Sequence, residues 1–144
     1  MITIRIIAVG TLKEKYWADA IAEYTKRLGR FCKSEIIEVR ESNPRQECDE
    51  IRRHLRGHVI LCAIDGEMVT SPGLATRLDD LSQVTSCVTF VIGGSDGVGH
   101  GLDDVVGEKM SLGRITLPHQ LFRVVLTEQI YRAFTITAGA KYHK

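Results

Sequence analysis

The stretch Cys87-Val88-Thr89-Phe90-Val91-Ile92-Gly93-Gly94-Ser95-Asp96-Gly97 decides the fold class. Its first six residues are almost wholly apolar and lack the polar alternation of a half-exposed strand, which is the pattern of a parallel strand covered on both faces. The glycines that follow let main-chain groups approach a ligand closely, or simply make a tight turn; their number alone does not choose between the two. The spacing matches neither G-x-G-x-x-G nor a phosphate-binding P-loop. Residues 97–101 do spell G-x-G-x-G, but a dinucleotide-type loop belongs after the first strand of a long sheet, and too little chain remains here.

Towards the N-terminus the same logic recurs. Residues 2–9, ITIRIIAV, predict a β-branched strand ended by Gly10. From 14 to 28 the residues Tyr16, Trp17, Ala20, Ile21, Tyr24 and Leu28 recur at helical spacing and predict an amphipathic surface helix. Residues 35–39, EIIEV, predict a second strand, and 40–46 a polar loop. The charged run 47–56 is a weak helix candidate read as a solvated face. Residues 58–64, HVILCAI, predict a third strand stopped by the turn-forming pair Asp65-Gly66. Ser71-Pro72 predicts the start of a helix running to about Leu81, with Ser71 as the capping residue. Strands alternating with helices give an α/β fold, a mostly parallel sheet flanked by helices, in a single domain spanning 1–144. Ligands of such sheets sit outside the carboxyl ends of the strands, here the loops after Ile64, after Ile92 and around Leu117.

Composition narrows the class. The chain has 144 residues, 44% hydrophobic and 26% charged, enough for a sizeable core. Cys32, Cys48, Cys62 and Cys87 form no C-x-x-C pair and read as buried thiols, so neither a disulfide framework nor a metal site is expected. No apolar run approaches a membrane span and no signal-type segment opens the chain, which fits a cytoplasmic protein. The formal charge of +1 hides a basic end: from residue 109 onward there are six Lys or Arg against one acid, Glu128.

That end is the second informative stretch. Residues 112–117, LGRITL, form a short extended run that breaks at Pro118-His119-Gln120 into a long helix. At 100° per residue, Phe122, Leu126, Ile130 and Ala133 make one apolar stripe, while Leu121, Val124 and Tyr131 make another. A helix covered on two sides in so small a domain points to a second subunit. Glu128 and Arg132 are spaced for an intrahelical ion pair, and a structural role is favoured for His119. Tyr142-His143-Lys144 closes the chain with acid–base, stacking and phosphate-seeking groups, where a bland tail is the usual case.

In sequence order, Ala8-Val9-Gly10, residues 90–97, Thr116-Leu117-Pro118-His119-Gln120, residues 128–133 and Tyr142-His143-Lys144 closely resemble the RlmH family over nearly the whole chain. These are small SPOUT-class methyltransferases acting on a pseudouridine of large-subunit (23S) ribosomal RNA. The resemblance implies a SPOUT-type fold with a C-terminal deep trefoil knot, and a homodimer. It implies S-adenosyl-L-methionine bound bent in the knot, and an RNA site completed by the partner chain. The cofactor contacts it implies are Cys62, Gly93, Leu112, Gly113, Arg114, Ile115, Thr116 and Leu117, largely through main-chain groups. The chain departs from the family at Cys62-Ala63, where a Leu and an acid are usual, with its own acid at Asp65, and its 40–46 connection is short.

The implied reaction is methylation of N3 of a pseudouridine in the helix 69 loop, on the assembled ribosome. It requires in-line positioning and loss of the N3 proton. On this reading His143 is the proton acceptor or orienting group, Tyr142 a stacking or hydrogen-bonding platform, and Arg132 a charge beside the developing anion. Arg123 and Lys144 hold phosphate. The rival expectation is a non-catalytic, knotted RNA-binding factor associated with the ribosome.

Overall fold

The computed structural model describes residues 1–144. The elements in order are β1 (Thr3–Val9), α1 (Lys15–Leu28), β2 (Lys33–Val39), α2 (Pro44–His54), β3 (His58–Met68), α3 (Ser71–Ser82), β4 (Cys87–Ile92), β5 (Glu108–Ser111) and α4 (His119–Thr137). The strands form one sheet in the order β2-β1-β4-β3-β5, every neighbouring pair parallel. β4 lies at the centre with all six residues buried, as its unbroken apolar run requires.

Side chains alternate between the two faces of the sheet. On one face Ile4, Ile6, Ile60 and Phe90 pack with Leu74 and Leu78 of α3 and with Leu126, Ile130 and Ala133 of α4. On the other, Ile7, Val9, Leu61 and Val91 pack with Cys48 and Ile51 of α2 and with Leu102. Of the two α4 stripes, the Leu126–Ile130–Ala133 side is therefore core, while Leu121, Val124 and Tyr131 are only half-buried. No helix is long and apolar enough to cross a membrane.

Four local expectations are corrected. Helix α2 starts inside the expected 40–46 loop, because Asn43 Oδ1 accepts the Gln46 N–H at 2.9 Å and Pro44 opens the first turn. Its charged sequence conceals a narrow inner face of Glu47, Cys48 and Ile51. Thr70, not Ser71, caps α3, its Oγ1 accepting from Gly73 N–H at 3.0 Å, while Ser71 Oγ donates to Gln129 Oε1 at 2.6 Å. Asp65-Gly66 does not end β3. The strand continues to Met68 through an irregularity between Cys62 and Glu67, and Gly66 lies so close to β5 that a Cβ there would be 2.8 Å from Met110 N. Finally, the fifth strand is Glu108–Ser111, and residues 112–117 leave the sheet as a loop.

Candidate active site

A cavity of about 480 Å³ opens where β3, β4 and β5 end. Leu61, Cys62 and Ile92 give it an apolar floor, Gly93 and Gly94 one wall, and residues 112–117 the other, with Phe122 of α4 closing the base. The expected cofactor residues Cys62, Gly93, Leu112, Gly113, Ile115, Thr116 and Leu117 all line it; Arg114 does not. A Cβ on Gly93 would lie 3.2 Å from Val98 Cγ1, and one on Gly94 2.9 Å from Glu47 Oε1, so this wall is built from bare backbone. Glu47, read as solvated, is in fact buried and accepts the Ser42 N–H at 2.8 Å.

The opposite wall offers free polar backbone. Ser111 Oγ donates to Gly113 O at 2.8 Å and takes the Gly113 N–H at 3.1 Å, which pins the start of the loop. The main-chain N–H and C=O groups of residues 114–117 make no hydrogen bond within the chain. Burial pushes the Cys62 thiol up to about 12, so it is a neutral wall and not a nucleophile. The volume is that of a site for a small molecule, with apolar surface for a flat ring and main-chain groups for its polar edge.

The C-terminal residues gather elsewhere. Arg132 Nε donates to Glu128 Oε1 at 2.7 Å, the expected intrahelical pair, and Arg132 Nη1 lies 3.1 Å from His143 Nδ1. A guanidinium can only donate, so in this contact Nδ1 is the acceptor and Nε2 is left as the ring's donor position. The Arg132 guanidinium carbon also sits 4.8 Å from the Tyr142 ring centroid, and Tyr142 meets Tyr131 edge-on at 4.8 Å. Burial, then the Glu128 charge and a hydrogen bond with Tyr24, raise the Tyr142 phenol above its usual range, so it stays protonated. Arg132, Tyr142 and His143 thus form one unit, with exposed Lys144 beside it. None of them lines the cavity. The cavity meets the first turn of α4 at His119 and Phe122, and this unit packs on Glu128, Tyr131 and Arg132, so that Arg132 lies about 15 Å further along the helix than Phe122.

Arg123 is not displayed to solvent. Its Nη1 donates to Glu38 Oε2 at 2.6 Å and its Nη2 to Gly10 O at 3.2 Å, and the residue is 3% exposed. His119, read as structural, is exposed and lines the cavity. It also lines a second, polar cleft that sequence reasoning did not find.

The family model described as "Predicted SPOUT methyltransferase" matches residues 2–143. This chain belongs to the SPOUT methyltransferase family. Its relatives include proteins named Ribosomal RNA large subunit methyltransferase H. That of Latilactobacillus sakei is 44% identical, over 98% of this chain and 99% of its own length. That of Oenococcus oeni is 44% identical over 100% of both, and that of Limosilactobacillus reuteri 47% identical over 98% and 99%. The parallel five-stranded sheet flanked by four helices is the architecture this family membership calls for. A SPOUT methyltransferase uses a methyl donor, and the cavity at the ends of β3, β4 and β5 has the chemistry for one.

Proposed function

We propose that this SPOUT protein is an S-adenosyl-L-methionine-dependent ribosomal RNA methyltransferase. Its target on this reading is N3 of a pseudouridine in the helix 69 loop of 23S rRNA, methylated on the assembled ribosome in the cytoplasm. The observation that carries the reading is the convergence of Cys62, Gly93, Leu112, Gly113, Ile115, Thr116 and Leu117 on one cavity walled by bare and unpaired backbone. The full-length likeness to proteins named as ribosomal RNA methyltransferases adds the substrate class.

The donor, when bound, supplies an electrophilic methyl group on a sulfonium, the S–CH3 bond breaking as N3–CH3 forms. The chain's own residues do the rest. The unpaired groups of 115–117 hold the polar edge of the donor, Leu61, Ile92 and Leu117 exclude water around it, and Gly93 lets it approach the sheet. Arg132, oriented by Glu128 and His143, brings positive charge to the imide oxygen that gains electron density as the N3 proton passes to solvent water. With Nδ1 occupied, His143 offers its Nε2–H, which favours the orienting over the proton-accepting half of its expected role. Tyr142 gives the base an aromatic edge, and Lys144 reaches for phosphate.

The tail packs on Tyr131 and Arg132, apart from the cavity of its own chain, and on this reading the complete site is assembled from two protomers of a homodimer. Ile115, 81% exposed on the cavity rim, and the half-buried outer stripe of α4 supply apolar surface for that contact. The C-terminal segment is threaded as a deep trefoil knot around the donor. The test is mass spectrometry of RNA from unmethylated ribosomes incubated with the protein and S-adenosyl-L-methionine. A pseudouridine gaining one methyl group is the expected result. His143→Ala or deletion of residues 142–144 lowers the rate on the order of 100-fold or more, with donor affinity by calorimetry unchanged. Wild-type rates in both variants overturn the assignment of the tail, and donor binding without methylation points to the non-catalytic RNA-binding factor.

A further inference from the structure

We propose that the second cleft binds a phosphodiester of the RNA strand whose target base enters the donor cavity. This inference rests on the reading of the chain as an RNA methyltransferase and adds a substrate-holding site to it. The cleft has a volume of about 620 Å³, and only Val9 and Val39 among its thirteen lining residues are hydrophobic. It joins the donor cavity directly, because Gly94, Ser95 and His119 line both. A nucleotide spanning that junction places its base on one side and its phosphate on the other.

Three features suit the cleft to an anion. Lys13 and Arg40 line it, are exposed, and take part in no salt bridge or side-chain hydrogen bond, so both charges are available. The opposing carboxylates are Glu38, already paired with Arg123 at 2.6 Å, and Glu41. Arg123 lies nine-tenths buried among the lining residues with its Nε lacking any hydrogen-bond partner. Helix α4 begins at the same place with no side-chain cap and no acid in its first turn, which leaves its positive end uncompensated.

The loop that carries Lys13 is also fixed in advance. Gly10 O accepts from Arg123, Leu12 N–H donates to Glu38 Oε2 at 3.3 Å, and Lys13 N–H donates to Gln120 Oε1 at 2.9 Å. These bonds tie the carboxyl ends of β1 and β2 to the start of α4. The buried Arg123–Glu38 pair is therefore a positioning device, and Lys13 and Arg40 are the groups that touch phosphate. A cleft of this size exceeds a single inorganic phosphate and fits a stretch of sugar–phosphate chain.

The experiment uses the K13A/R40A double variant of the protein. Both side chains are free of contacts that hold the fold, and thermal melting checks that the variant is as stable as the parent. Affinity for unmethylated large ribosomal subunits is measured between 50 and 200 mM KCl, with KM and kcat for methylation and donor affinity by calorimetry. The expected result is a loss of roughly 10- to 100-fold in RNA affinity carried by KM, and a salt slope shallower by about 2. Donor affinity stays unchanged. Unaltered RNA affinity and slope beside an active wild type overturn the proposal. So does a selective loss of donor affinity, which assigns the cleft to the donor's own carboxylate. A wild-type protein that binds no RNA overturns the methyltransferase reading and the cleft with it.

Discussion

Burial pushes the Cys62 thiol up to about 12 and the Cys32 thiol up to about 11. Both start from an unfolded value of 9.0, so between 9 and these folded values the unfolded chain carries fewer protons than the native one. Stability therefore falls as pH rises above 9 and is unaffected by these groups below it. Urea midpoints measured from pH 7 to pH 10.5 are expected to decline more steeply in the parent than in Cys62→Ser, whose hydroxyl does not titrate there. Parallel curves would remove the desolvated thiol from the account. The inward setting of Cys62 was legible in the sequence, because it stands in an apolar strand run without metal-ligand spacing, whereas Cys32, between Phe31 and Lys33, carries no such local signal. The state of Arg123 was not legible. A lone arginine on a helix reads as a free cation, and its partner Glu38 lies 85 residues away, where no local pattern records it.

At the scale of elements, legibility follows how much of an element's stability is local. The strands β1 and β4 declare themselves through β-branched and apolar runs, and α1 through its periodicity. The strand β5 is a four-residue EKMS segment with no such signature, and it exists only because β3 offers it a parallel edge. The pair Asp65-Gly66 reads as a turn because turns use those residues, yet here the glycine serves close approach between two strands. Gly66→Ala tests that account. The added Cβ would meet Met110 N at 2.8 Å and Lys109 C at 2.9 Å, both rigid backbone atoms, so β5 must shift away from β3. Residues 112–117 continue directly from β5, so the shift reaches the donor wall. The variant is expected to lose about 1–3 kcal/mol of stability, and its donor affinity is expected to fall in the same preparation. An unchanged melting temperature with unchanged calorimetric affinity would show that the two strands are not held together through this glycine.

The whole molecule raises a question that neither a residue nor an element answers. The place of the cavity was readable from the pattern of parallel strands, which puts ligands at the loops after Ile92 and around Leu117, while its individual residues were named only through the family resemblance. The tail was readable as chemistry but not as geometry, since it packs on Tyr131 and Arg132, and Arg132 lies about 15 Å along α4 from the cavity-lining Phe122 of its own chain. On the proposed homodimer the tail serves the other protomer's cavity. This has a quantitative consequence in mixed dimers. One chain lacks residues 142–144 and keeps its cavity; the other carries Gly93→Leu, which fills the cavity, and keeps its tail. Neither homodimer has a complete site. In a symmetric dimer the mixed species has one, so equal amounts refolded together are expected to recover about a quarter of wild-type methylation. The measurement is methyl incorporation into ribosomes before and after co-refolding, with native mass spectrometry counting the mixed dimers. Mixed dimers present without recovered activity would place each tail at its own cavity, and would require the segment after α4 to leave Tyr131 and Arg132.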